Sequence, residues 1–174
     1  MFENAEIAVD ELPGTDRLEW RALDSRYVRR LQIEALITTA VIAIALLVLQ
    51  FAPLPIQVRW PFGAAWVLVI AFGLSLLIWP LISVPGKGYA IRDKDIVYRS
   101  GVLWQSVTAV PFNRVQHVET SSTPLDRRFG QAALQLFTAG GSGGDLKIYG
   151  MPADVAEKLR VFILEKAGAD IEHD

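Results

Sequence analysis

The chain has 174 residues, 52 % of them hydrophobic and 21 % charged, with a formal net charge of −2 and no cysteine. A mean hydropathy of +0.31 is high for a soluble domain of this length, so part of the chain is expected in lipid and part in water. Without cysteine there is no disulfide framework, no thiolate metal site and no thiol nucleophile.

Residues 1–16 hold five acids (Glu3, Glu6, Asp10, Glu11, Asp16), no base and no periodic pattern, which predicts a flexible acidic tail. Residues 17–30 reverse the charge, with five arginines against Glu19 and Asp24. This stretch reads as a basic interfacial segment. Trp20 and Tyr27 are expected among headgroups and Arg26, Arg29 and Arg30 against anionic lipid, at on the order of 1 kcal/mol per base. The plainer alternative is charge that only sets the topology of a following span.

Two charge-free stretches come next, Ala35 to Val58 and Trp60 to Gly86, with only Arg59 between them. About 20 helical residues cross a hydrocarbon core of roughly 30 Å. Residues 31–86 are therefore predicted to form a transmembrane hairpin with spans at about 33–52 and 62–82. Trp60 and Trp79 bracket the second span at the depth of an aromatic belt. Arg21, Arg26, Arg29 and Arg30 precede the first span, and Lys87, Arg92 and Lys94 follow the second. That bias predicts a multi-pass protein with both termini cytoplasmic and the Pro-rich loop outside. An apolar run that starts this late, behind acids, is not a signal peptide, so the first span is read as retained.

After Pro85-Gly86-Lys87-Gly88 the pattern changes. Tyr89–Arg92, Asp95–Arg99, Gln105–Phe112, Arg114–Ser121, Ala132–Thr138 and Leu146–Tyr149 are short β-branched and aromatic runs separated by turn residues. The alternation breaks near Val115–Val118, where a bulge is expected. Pro152 fits a first helical position, Val155, Leu159, Phe162 and Ile163 share one helical face, and Lys166 and Gly168 suit the helix end. Residues 87–168 are thus expected to form a small antiparallel β-barrel capped by a C-terminal α-helix, with 169–174 a tail.

Three ordered motifs carry a resemblance. Val110-Pro111-Phe112-Asn113-Arg114-Val115-Gln116-His117-Val118-Glu119, Pro124-Leu125-Asp126-Arg127-Arg128-Phe129-Gly130 and Leu134-Gln135-Leu136-Phe137-Thr138-Ala139-Gly140 resemble those of the bacterial pleckstrin-homology-like (PH-like) membrane proteins of the YdbS/YdbT type. Ala156–Arg160 matches the start of the last helix in that family. The order of two spans and then one domain is similar to the YdbS type. The resemblance implies a PH-like barrel on the cytoplasmic face of a bacterial plasma (inner) membrane and a partner membrane protein of the YdbT type. It implies no reaction.

The residues offer little chemistry. His117 and His173 are the only histidines, too far apart in the pattern for a metal pair, and His117 reads as a strand residue. Gly140–Gly144 has no Lys-Ser/Thr after it and reads as a hairpin tip, not a phosphate loop. No nucleophile–base arrangement is visible, and no enzyme, metal or cofactor is expected. Beyond Gly86 eleven bases balance eleven acids, which is not a nucleic-acid footprint.

Arg114, Arg127 and Arg128 remain as contacts for a ligand or partner. The Leu-Asp-Arg-Arg-Phe-Gly turn can present guanidinium forks to a phosphate or carboxylate. It can equally be a packing corner with Leu125 and Phe129 inward, a special backbone angle at Gly130, and an arginine paired to Asp126 or Glu119. Two functions follow. One is a membrane-anchored interaction module that assembles with a second membrane protein of the family or with itself. The other is an inner-leaflet sensor of anionic lipid using Arg114, Arg127 and Arg128.

Overall fold

The computed structural model describes residues 18–52, 62–139 and 145–171. The expected acidic tail, Arg17, Trp60, the tip Gly140–Gly144 and His173 lie outside them. Two long helices come first, α1 (Arg26–Gln50) and α2 (Phe62–Ser83). Their 25 and 22 residues rise about 37 and 33 Å, enough to cross a bilayer. Val41, Ile44, Val67 and Leu68 point outward, where a helix of a soluble core would bury them. The two helices cross closely. A Cβ on Gly73 would come within 2.7 Å of Thr39 Cγ2, and Trp66 Nε1 donates to Gln50 Oε1 at 3.1 Å.

The strands form two antiparallel sheets. β1 (Arg21–Ala22), β2 (Gly88–Ile91), β3 (Asp95–Ser100) and β4 (Ser106–Pro111) pair in that order. A 3₁₀ turn over Phe112–Arg114 leads to β5 (Val115–Ser121), the short helix α3 (Pro124–Phe129), β6 (Gln131–Thr138) and β7 (Leu146–Pro152). The second sheet is β5-β6-β7. Among the described residues no ladder joins the two sheets, so the β unit is a pair of packed sheets and not a closed barrel. The final helix, α4 (Ala153–Ile171), lies against both the 3₁₀ turn and the second sheet. Tyr89, Ile96, Val110, Phe112, Val118, Leu134, Leu136, Ile148, Leu159 and Ile163 share one core. The expected bulge is present as a register shift between Val115 and His117, and a second one falls between Ala132 and Leu134.

Three boundaries differ from expectation, each for a local reason. Pro152 closes β7 opposite Gln131 and is not the first helical residue, because a ladder position without an N–H suits a strand end. α4 runs through Gly168 to Ile171. The largest change is at the N-terminal side. β1 pairs with β2, Arg21 opposite Tyr89, and the backbone N–H of Asp24 donates to the Gly150 carbonyl at 2.9 Å. Leu23 and Tyr27 enter the domain core, so residues 18–30 belong to the PH-like unit and to the first turns of α1. Tyr27 is therefore packed inside protein instead of lying among headgroups. Burying a side chain of this size stabilises by about 1.5–3 kcal/mol.

Chain direction sorts the domain into a near end, beside the hairpin, and a far end. β2 leaves α2 and runs away; β3 returns; β4 runs away again to the 3₁₀ turn. β5 comes back to α3, which packs on α1. At the far end Phe112 N–H donates to Lys94 O at 2.9 Å, and Lys166 Nζ donates to Asp93 Oδ1 at 2.6 Å.

Candidate functional site

The corner at α3 is built from its ends inward. Thr123 caps the helix by accepting from Asp126 N–H at 3.1 Å, and the Asp126 carboxylate accepts from Thr123 N–H at 2.9 Å. Pro124 fills the first position, where no N–H is needed, and Gly130 closes the helix at φ 66°. Asp126 also accepts from Arg30 Nε of α1 at 2.7 Å, with the two side chains only 14 % and 13 % exposed. Arg30 pairs in addition with Glu34 one turn on. Burial pushes the Asp126 carboxyl up, but the Thr123 hydroxyl and N–H and the Arg30 guanidinium outweigh it and hold its pKa below the usual carboxylate range. The cap and the Gly130 turn of the expected corner are thus present, with two differences: Leu125 and Phe129 are only partly buried and stay outside the core cluster, and the arginine paired to Asp126 is Arg30 of the membrane helix and not Arg127 or Arg128.

The three candidate arginines do not converge. Arg127 and Arg128 are exposed on α3 at the near end, where Arg127 Nη1 donates to Ser122 O at 3.3 Å. Arg114 sits before β5 at the far end, its carbonyl accepting from Ala139 N–H at 3.0 Å. Seven strand residues rise about 20 Å between the two places.

The interfacial candidates divide in the same way. Arg29 is exposed, and Arg26 donates to Asp24 at 2.7 Å. That bond, the largest influence on it, lowers the Asp24 pKa. Arg30 faces α3. Trp20 lies under the Arg99 guanidinium, 4.6 Å from its ring centre. Trp79 is exposed on α2 and lines a cavity of about 430 Å³ between the near halves of α1 and α2, with Glu34 and Lys87 at its polar rim.

Along the outer face of α4 runs a shallow groove of about 510 Å³ lined by Asp154, Glu157, Lys158, Val161, Phe162 and Glu165. Val161 in the groove and Leu164 on the same helix are exposed. Two of the groove's acids have local partners: Asp154 lies 3.9 Å from Lys158 Nζ, and Glu157 accepts from Arg160 Nε at 3.1 Å, which is the main reason its pKa is lowered. The single-sequence pattern counted this helix only by its inner face and missed the outer one. His117 lies on β5, exposed, 3.4 Å from Glu119. Among the described residues no group of His, Asp or Glu has the arrangement of a metal site.

Residues 28–167, from the first turns of α1 through both helices and sheets into α4, match the family model described as "Bacterial PH domain". The chain belongs to the bacterial PH domain family. It is also 30 % identical over 149 residues to "UPF0699 transmembrane protein YdbS" of Bacillus subtilis (strain 168), covering 79 % of this chain and 84 % of that protein. No solved structure gives a significant match. The YdbS-like resemblance of the three motifs is therefore shown. This is a membrane protein in which two transmembrane helices carry a PH-like domain. Its first strand comes from the chain ahead of the membrane hairpin, and a core tyrosine, Tyr27, from the first turn of α1.

Proposed function

We propose that this bacterial PH domain is a non-enzymatic interaction module, anchored on the cytoplasmic face of the plasma membrane, that assembles with a partner membrane protein of the YdbT type. The observation that carries the reading is the outer face of α4. An apolar strip through Val161 and Leu164 is left exposed on α4, beside Asp154, Glu157, Lys158 and Glu165. An apolar segment is the complementary surface. Both termini lie in the cytoplasm in this reading, because the arginines before α1 and Lys87, Arg92 and Lys94 after α2 flank the hairpin.

The test is co-purification in mild detergent of the full chain with a co-expressed YdbT-type protein. A stoichiometric complex is expected, lost in Val161→Arg while the circular dichroism of the chain is unchanged. Self-association without the partner would make a second copy the occupant. Full recovery of the partner by Val161→Arg would remove the α4 face from the interface. The alternative lipid sensor is disfavoured by the strand length that separates Arg114 from Arg127 and Arg128.

A further inference from the structure

The connection between β3 and β4, residues 101–105, carries two adjacent, strongly exposed large apolar side chains: Leu103 is 77 % and Trp104 85 % accessible. Such residues on a hairpin tip are costly in water and mark a binding surface when they cluster. Their place in the fold says what covers them. Ser100 pairs with Ser106 at the end of β3 that returns toward the hairpin, so the tip points to the near end. It is also held there. A Cβ on Gly86, three residues beyond α2, would lie 2.8 Å from the Gly101 carbonyl oxygen. Gly101 makes the tight turn possible: at φ 111° its missing Cβ would fall 1.8 Å from the Trp104 carbonyl oxygen. Behind the tip stand Lys87 and Arg99, cations of the kind that attract headgroup phosphates, and Trp20 under the Arg99 guanidinium.

We propose that this tip is a membrane-inserting finger, and that Leu103 and Trp104 enter the leaflet next to the domain, alongside the exit of α2. The occupant is lipid, because the tip is continuous with the end of a transmembrane helix and lies on the domain side that faces the same bilayer. An apolar body with a polar indole N–H suits the headgroup–acyl boundary, where such groups sit about 5–10 Å deep. The finger adds a third point of attachment to the two spans, and fixes the angle at which the PH-like domain stands on the membrane.

A natural chain without cysteine allows a direct test. The full chain carrying Leu103→Cys, and separately Trp104→Cys, is spin-labelled and placed in phosphatidylethanolamine–phosphatidylglycerol bilayers. Asp93→Cys at the far end is the water-exposed reference. The expected result is a label at residue 103 or 104 that collides with oxygen severalfold more often than with a water-soluble nickel chelate, and the opposite ratio at residue 93. Nickel accessibility at both tip positions equal to that at residue 93 overturns the proposal. So does shielding from both reagents, which would mean that protein and not lipid covers the tip. Unchanged circular dichroism of the labelled chains confirms that the comparison is between folded proteins.

Discussion

The Tyr27 ring occupies the space that a side chain at residue 150 would need: a Cβ there would lie 2.3 Å from Tyr27 Cγ. Gly150 is also at φ 73°, so Gly150→Ala combines backbone strain with a clash and is expected to cost about 2–4 kcal/mol. Chemical denaturation of the chain in lipid nanodiscs, followed by near-ultraviolet dichroism of the domain, measures it. A loss under 1 kcal/mol would mean that the membrane helix is not wedged into the domain.

The same wedge makes a prediction about fragments. A piece from Lys87 onward lacks β1, Leu23 and Tyr27, and is expected to expose their contact surface and aggregate or remain partly folded. A chain in which residues 32–83 are replaced by about ten Gly/Ser residues, reaching roughly 17 Å, retains all three and is expected to fold in water. Equal solubility and equal melting cooperativity of the two would show that the first strand is dispensable.

Arg30 and Asp126 should give the domain an acid-sensitive joint. The Asp126 pKa is depressed in the folded state, so the pair's contribution is fully present above the ordinary carboxylate value and is lost as pH falls through the lower folded value. Stability is expected to be flat from neutral pH to about 5 and to drop below about 4. Asp126→Asn should flatten that drop, and should cost about 1–3 kcal/mol at neutral pH because it leaves the Arg30 guanidinium without its buried carboxylate. An unchanged acid limb in the variant would assign the drop to other groups.

Within α4, Ile163 is fully buried while Phe162 is half-buried, its ring edge-on to Phe112 at 5.9 Å between centres. Ile163→Ala is therefore expected to destabilise by about 2–5 kcal/mol, more than Phe162→Ala, whose open face reduces the loss. The reverse order in paired thermal melts would contradict the placement of the helix.

Orientation is checked by a reporter active only outside the cytoplasm. Fused near Pro55 it should be active, and after Asp174 silent. The opposite pattern would put the PH-like domain outside.

Much of this architecture is written in local pattern. Charge-free runs mark the helices, alternation marks most strands, and the failure of alternation at Val115–Val118 marks the bulge. What stayed hidden depends on distant partners. A two-residue strand at Arg21–Ala22 has no period to detect and exists only because Gly88 and Tyr89 offer an edge. Arg30 reads as one of several interfacial arginines until α3 brings Asp126 to it. Arg114, Arg127 and Arg128 look like a cluster in a list of bases, but the direction of β5 places them at opposite ends. Leu103 and Trp104 fall between two expected strands and belong to neither, and sequence gives no sense of which way a hairpin tip points.

The position of β1 ahead of the hairpin also dictates the order in which the protein is made. Tyr27 leaves the ribosome 123 residues before Gly150, its partner across the core. Both spans must enter the bilayer while β1 and the first turns of α1 still wait, unpaired, at its surface. The domain can close only when β7 arrives and threads its backbone onto Asp24. Membrane insertion is thus a step on the folding pathway of the water-facing domain, and a hairpin that fails to insert strands an open sheet edge where chaperones and proteases find it.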